Sequence, residues 1–192
     1  LIRRFLRGVK DKAMRANLPE PTIVFELGSY IATEAAFDIL KIVDYKHNHI
    51  DANGNPGTWA IGDSSLVATV PDIWFLKDKR FIILAVNGAN RPAKLALHGD
   101  ITCDSGSILP EGLLIPDTTD PLYLVILGTG AYQNALTGEG GGQHCGLYGS
   151  AKWKIHKEGN KTVVVLTGRQ TSSDLSRILG YTPDRIRHLR RS

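Results

Sequence analysis

Short apolar runs, separated by clusters of Gly, Pro, Asn and Asp, are the feature of this sequence that most restricts its fold. Each run has strand character, and each ends at residues that favour turns. The runs span residues 37–46, 58–61, 81–86, 93–97, 122–127, 152–156 and 162–166. Their spacing is typical of a β-sandwich or β-barrel. The turn-rich segment 51–57 predicts a hairpin between the first two runs.

Composition supports a strand-rich globular protein. The chain has 192 residues, of which 42% are hydrophobic, and this is enough to bury a sizeable core. It contains 20 Gly and 9 Pro but only 7% aromatic residues, which favours many turns over a helical bundle. The two cysteines, Cys103 and Cys145, are too few for a disulfide framework and lack the spacing of a zinc site. We therefore expect a cytoplasmic protein, and no apolar run has the length of a membrane span.

The positive charge of the chain is concentrated at its two ends. Residues 1–15 hold six Lys or Arg and one Asp, residues 169–192 hold six Arg and two Asp, and the region between them is acidic. In both terminal segments the basic residues occur at helical spacing, on the face opposite the apolar residues. This arrangement favours a solvated helix face over a nucleic-acid contact.

Helical patterns flank the strand-rich region. Residues 1–16 read as an amphipathic helix, after which residues 22–26 read as a short buried strand. Near the other end, Ser172 or Ser173 is expected to cap a helix that carries apolar residues at positions 175, 178 and 179, and Pro183 is expected to begin a second short helix.

Cys103 and Asp104 form the first candidate site, on a glycine-containing turn. A thiol can donate a proton or act as a nucleophile, and an adjacent carboxylate can bind a cationic group of a substrate. The local sequence by itself favours the alternative, a buried cysteine beside an aspartate that forms a turn.

Two further segments could bind an anion. The segment Gly128–Tyr132 follows an apolar run, so its backbone amides and the tyrosine hydroxyl could contact a phosphate, although it is no P-loop or dinucleotide fingerprint. Glu26, Gly28 and Ser29 combine a carboxylate at a strand end with a glycine turn. The alternative for Gly128–Tyr132 is an ordinary tight turn, and the alternative for Glu26, Gly28 and Ser29 is an ordinary strand end.

The histidines predict no metal site. His47 and His49 lie in a strand or turn, and His144 lies in a glycine-rich loop. Neither group has a second ligand pair at the spacing that metals favour. Surface or loop roles are therefore expected.

Four segments together resemble one enzyme family. They are residues 70–74 (Val-Pro-Asp-Ile-Trp), 99–105 (Gly-Asp-Ile-Thr-Cys-Asp-Ser), 130–133 (Gly-Ala-Tyr-Gln) and 171–184. In this order they resemble the C-terminal part of the pyridoxal-phosphate-dependent decarboxylases with an alanine-racemase-like fold, whose members act on arginine, ornithine, lysine or diaminopimelate. Biosynthetic arginine decarboxylases are the members to which the sequence is most similar.

The resemblance implies a domain organisation. Residues 1–36 correspond to the end of an α/β barrel, residues 37–168 to the C-terminal β domain, a barrel or sandwich, and residues 169–192 to a basic helical tail. The resemblance implies a homodimer or higher homo-oligomer, a small-molecule substrate that is arginine or another cationic amino acid, and pyridoxal phosphate as cofactor. It also admits magnesium.

The resemblance also assigns roles to the candidate residues. Cys103 is the thiol that protonates the substrate carbon after carbon dioxide leaves, across the dimer interface, and Asp104 binds the distal cationic group of the substrate. Tyr132 and the segment containing Gly28 and Ser29 hold the cofactor phosphate, and Glu26 pairs with the pyridinium nitrogen.

Two departures from the family pattern limit these expectations. Leu27 stands where the family usually has Pro or Ser, and Ser29 stands where it usually has Arg or another polar residue. These changes alter the phosphate-binding turn. The lysine that carries the cofactor belongs to an early barrel strand that this sequence does not include. The chain is therefore expected to be inactive without that barrel, and the alternative is a catalytically silent relative that regulates or binds a partner.

Overall fold

The computed structural model describes residues 2–50, 54, 56–76, 78–87, 93–99, 112–116, 120–136, 149–181 and 187. The strands in these ranges are β1 (Phe37–Ile50), β2 (Pro56–Gly62), β3 (Ile82–Val86), β4 (Ala93–Gly99), β5 (Leu113–Pro116), β6 (Tyr123–Leu127), β7 (Lys152–Glu158) and β8 (Lys161–Gly168). The helices are α1 (Ile2–Arg15), α2 (Gly28–Ala32), α3 (Leu66–Thr69), α4 (Asp72–Phe75), α5 (Gln133–Leu136) and α6 (Ser172–Ile178), with a 3₁₀ helix at Thr33–Ala35.

Six of the strands form one sheet in the order β3-β6-β1-β2-β4-β5. Neighbouring strands are antiparallel, except that β2 and β4 run parallel. The predicted hairpin is confirmed, since Ile50 lies opposite Pro56 in the β1–β2 pair. The chain is mainly β, as predicted. Among the described strands, however, β3 and β5 remain edges, so these strands do not close into the barrel that is one of the two predicted forms.

One face of this sheet forms the core. Alternate residues of a strand point to opposite faces, and Leu40 of β1 lies opposite Leu124 of β6, which places both on the same face. The buried cluster on this side consists of Leu40, Ile42, Ala60, Val70, Phe81, Ala96, Leu113, Ile115, Leu122, Leu124 and Ile126. Because Phe37 at the start of β1 lies opposite Leu127 at the end of β6, the segment before β1 and the turn after β6 are held next to each other.

The opposite face of β3, β6 and β1 is also apolar but is not buried. We call it the outer sheet face, and it comprises Phe37, Ile39, Ile82, Leu84, Val86, Tyr123, Val125 and Leu127, which the cross-strand register places side by side. The β1 and β3 members are exposed, Ile82 to 66%. An alternating strand normally has one apolar and one polar face. In β3, β6 and β1 both faces are mainly apolar, with Lys41 opposite Tyr123 on the outer sheet face.

Strands β7 and β8 form a separate antiparallel hairpin. Trp153 lies opposite Leu166, and Ile155 lies opposite Val164, so these four side chains share one face. All four are largely exposed. The two predicted strands in this region are confirmed.

The N-terminal region differs in part from the prediction. The expected amphipathic helix is confirmed as α1, and contacts between Phe5 and Phe25 and between Lys10 and Glu20 hold it to the segment that follows. The prediction of a strand at residues 22–26 is wrong, because this segment has no regular secondary structure. A strand forms only when a neighbour completes its backbone hydrogen bonds, and no described strand pairs with this segment.

Helix α6 begins one or two residues earlier than predicted. The N-cap is Thr171 rather than Ser172 or Ser173: its hydroxyl accepts a hydrogen bond from the Asp174 amide, and the Asp174 carboxylate accepts one from the Thr171 amide. This reciprocal capping box satisfies two donors at once, which a serine cap inside the helix would not do. The helix predicted from Pro183 lies almost entirely outside the described residues. No described helix is long and apolar enough to cross a membrane.

Candidate functional site

The structure joins two of the segments that the sequence singles out. The turn after β6, which contains Gly128, Thr129 and Gly130, lies against the end of α2 and the 3₁₀ helix. The Thr129 amide donates to the carbonyl of Ala36 over 3.1 Å, and the Gly130 amide donates to the carbonyl of Thr33 over 3.1 Å. Segments about one hundred residues apart in sequence therefore form one continuous surface.

Two glycines permit this close approach. Gly128 has φ of +79°, in the left-handed region that glycine adopts without strain. At Gly130 a Cβ atom would overlap the carbonyl oxygen of Ala32 and lie 3.0 Å from the amide nitrogen of Ala36. The obstructing atoms are backbone, so only a glycine allows the two segments to meet in this way.

Tyr132 projects from the end of the same turn. Its side chain is 54% exposed, whereas Ala131 and Gln133 on either side are 5% and 2% exposed. Tyr132 has φ of +67°, which is rare for a residue with a side chain. The turn thus buries its neighbours and presents the tyrosine to solvent.

Gly28 and Ser29 begin helix α2, next to Glu26. Glu26 and Gly28 are exposed and Ser29 is half-buried, and a Cβ at Gly28 would meet no atom within 4 Å. Because the first turn of a helix leaves its amides without intrahelical acceptors, the amides of residues 28–30 have no acceptor within the described ranges. The Thr33 hydroxyl donates to the Ser29 carbonyl over 2.5 Å, which ties α2 to the segment that contacts Gly130.

Asp38 is a residue at this surface that the sequence analysis missed. It lies on the core-facing side of β1, opposite Ile126, and interacts with the side chain of Thr129. Burial raises the pKa of the Asp38 carboxyl above its ordinary value, and the hydrogen bond from Thr129 offsets part of this rise. A carboxylate at an inward position of an alternating strand is the sequence signal that could have identified it.

The remaining candidates can be placed only in part. Cys103 and Asp104 lie outside the described residues, so their predicted roles stay predictions. His144 and Cys145 also lie outside them. No group of three or more His, Cys, Asp or Glu that could hold a metal occurs in the described ranges, and so nothing there supports the magnesium that the resemblance admits.

The described fold is similar to that of amino-acid decarboxylases of known structure. No family model and no curated protein matches the chain. The biosynthetic arginine decarboxylase of Campylobacter jejuni superposes with a TM-score of 0.74 and 18% identity, over 94% of this chain and 44% of that one. The diaminopimelate decarboxylase of Helicobacter pylori, in complex with L-lysine, gives a TM-score of 0.59 and 18% identity, over 84% and 36% of the two chains.

A third similar structure is the diaminopimelate decarboxylase of M. jannaschi, with a TM-score of 0.60 and 13% identity over 85% of this chain and 34% of that one. This chain therefore spans less than half the length of each of these proteins. At such low identity the likeness establishes the fold alone, and in fold the chain is similar to these decarboxylases.

Proposed function

We propose that this chain is the C-terminal part of a pyridoxal-phosphate-dependent amino-acid decarboxylase that acts on arginine or another cationic amino acid. The observation that carries the proposal is the joined surface of α2 and the Gly128–Tyr132 turn, in a fold similar to that of an arginine decarboxylase. Activity requires a lysine-bearing barrel, either in the same polypeptide or in an assembled partner. Residues 1–36 are then the end of that barrel, residues 37–168 the β domain and residues 169–192 the helical tail.

The donor set at this surface fits a phosphorylated cofactor. A phosphate group accepts hydrogen bonds from amides and hydroxyls. This surface offers the free amides at the start of α2, the Ser29 hydroxyl and the exposed Tyr132 hydroxyl. The open space above Gly28 leaves room for such a group. Glu26 is an exposed carboxylate that can accept a hydrogen bond from a protonated ring nitrogen. When bound, pyridoxal phosphate would withdraw electrons from the substrate carbon that loses the carboxyl group.

The chain's own residues then hold the cofactor and move one proton. Tyr132, Ser29 and the amide of Gly28 bind its phosphate, and Glu26 keeps its ring nitrogen protonated. The Cys103 thiol donates a proton to the carbon from which the carboxyl group has left. Asp104 pairs with the distal cation of the substrate, which favours arginine, ornithine or lysine over a substrate with a distal carboxylate. The active unit is a homodimer or a higher homo-oligomer, in which Cys103 serves the neighbouring subunit.

The test is to express the chain together with its lysine-bearing barrel. We expect a pyridoxal phosphate absorption band and carbon dioxide release from arginine, compared in parallel with ornithine, lysine and diaminopimelate. Cys103→Ala should retain the band and lower the release of carbon dioxide at least tenfold. Cys145→Ala changes the other cysteine of the chain and is the matched control.

Cofactor binding is tested separately with Tyr132→Phe, which removes one hydroxyl. We expect weaker retention of pyridoxal phosphate on dialysis, whereas Tyr181→Phe, which changes another exposed tyrosine, leaves retention unchanged. Leu27 and Ser29 are the observations that favour a catalytically silent relative instead. If the assembled protein shows no pyridoxal phosphate absorption band, the decarboxylase proposal fails and the catalytically silent relative becomes the better candidate.

A further inference from the structure

A buried polar network links the Gly-Ala-Tyr-Gln turn to helix α4. The side-chain amide of Gln133 donates to Oδ2 of Asp72 over 2.7 Å, and the Asp72 backbone amide lies 3.4 Å from Oε1 of Gln133. Asp72 is 5% exposed and Gln133 is 2% exposed. The same oxygen of Asp72 forms an ion pair with Lys79, which lies 5.1 Å from the ring centre of Phe81.

The network acts directly on the backbone around Tyr132. The Gln133 amide nitrogen donates to the carbonyl of Ala131 over 2.9 Å, and the Gln133 side chain donates to the same carbonyl over 3.0 Å. A bond from residue 133 to residue 131 closes a γ-turn centred on Tyr132, and φ of +67° is the value of the rare form of this turn. The Leu136 amide then donates to the Tyr132 carbonyl over 2.7 Å.

We infer that Asp72 and Gln133 are positioning residues that fix Tyr132 toward the candidate phosphate site, an inference that rests on the function proposed above. Gln133 holds the unfavourable γ-turn closed, and Asp72 with Lys79 holds the Gln133 side chain in place. Gly128 and Gly130 anchor the other side of the turn, so Tyr132 is fixed from both directions. This gives a role to residues 70–74, a segment with no role in the proposed chemistry.

Alternatively, these side chains could serve only to stabilise the core, and amide hydrogen exchange on the full chain separates the two roles. Gln133→Met removes the side-chain amide at similar volume. We expect faster exchange, by roughly tenfold, at the amides of Gln133 and Leu136, with unchanged exchange at Leu124 and Ile126 in β6. Gln170→Met is the matched control, because Gln170 accepts a bond from the Gly149 amide elsewhere in the chain.

The conservative variant at Asp72 gives a second arm. Asp72→Asn keeps an oxygen that can accept from Gln133, so protection at Leu136 should persist, whereas Asp72→Leu should lose it. The inference would be overturned if the Leu136 amide of the Gln133→Met variant stayed protected from exchange. It would also be overturned if exchange increased equally throughout β6.

Cofactor affinity is measured in the assembled protein by titrating pyridoxal phosphate. Gln133→Met should raise the Kd about tenfold, as loss of a supporting hydrogen bond typically does, and should leave the carbon dioxide release per bound cofactor unchanged. A faster-exchanging turn with an unchanged Kd would overturn the link to the site. If the unaltered assembled protein takes up no pyridoxal phosphate, the proposed function fails, while the exchange experiment still decides whether the network holds the turn.

Discussion

Gly130 lies where two backbone segments touch, and it offers the sharpest test at the scale of one residue. Gly130→Ala should lower the stability of the chain by about 1–3 kcal/mol, because the added methyl group overlaps the Ala32 carbonyl and backbone atoms must move. Urea unfolding measures this cost.

Gly8 provides the matched control for the Gly130 variant. It lies in α1, where a Cβ would meet no atom within 4 Å. Gly8→Ala should therefore be neutral or stabilise α1 by up to about 1 kcal/mol. Equal losses of stability in the two variants would contradict the close packing of the turn against α2.

Asp38 should make stability depend on pH. Its raised pKa means that the folded chain holds this proton more tightly than the unfolded chain. Stability is therefore lost as the pH rises from the ordinary carboxyl range, about 4, through the raised pKa, and the full penalty applies above it. Asp38→Asn keeps a partner for Thr129 without the charge. It should show a higher Tm than the unaltered chain at pH 7, and the difference should vanish below about pH 4. A lower Tm for Asp38→Asn at pH 7 would show that the charge is stabilising.

At the scale of elements, helix α6 depends on the capping box at its start. Thr171→Ala removes the acceptor of the Asp174 amide, so the first turn should fray and exchange at this amide should accelerate. Ser173→Ala removes a hydroxyl two residues further on and should leave that exchange unchanged.

The capping box should also respond to acid. Hydrogen bonds from the Thr171 side chain and backbone amide, and then the charge of Arg177, hold the pKa of Asp174 below its usual range. The cap is therefore complete above the ordinary carboxyl pKa and is lost as the pH falls through the lowered value. Chemical shifts of α6 that do not change on acidification would contradict this coupling.

The strands could be predicted from sequence where a local pattern determines them. Strand β6 has alternate buried and half-buried residues between turns, and it was predicted to within one residue. Strand β5 was missed because it has four residues and ends at a proline. Residues 22–26 have the composition of a strand but no partner among the described strands, and only the tertiary structure could show this.

For the candidate site, glycines and hydroxyls in turns singled out the segments of Ser29 and Tyr132, and the structure joins these two segments. Their binding of an anion stays a prediction. The bonds between Asp72 and Gln133 join residues 61 positions apart, and no local pattern indicates such a pair. The Thr171 cap, by contrast, could have been found from the aspartate three residues after it.

For the whole molecule, shortening a side chain on the buried face of the sheet should lower the free energy of unfolding more than shortening one on the outer sheet face. Ile126→Ala, at a residue with 0% exposure, should cost about 2–5 kcal/mol of the free energy of unfolding, because it leaves a cavity in the core. Ile82→Ala on the outer sheet face should cost less than about 1 kcal/mol. Urea titrations of the two variants measure both values. Similar costs would mean that the outer sheet face is buried in solution.

The position of β1 in the sheet also sets the order in which the chain can fold. Strand β1 can form its hairpin with β2 early, since the two are adjacent in sequence, but its other neighbour is β6. Closing that long loop costs chain entropy before any contact between Leu40 and Leu124 repays it. During synthesis, the apolar side chains of β1 therefore remain without their partners on β6 until Leu127 has left the ribosome, and this interval is when the chain is most prone to aggregate.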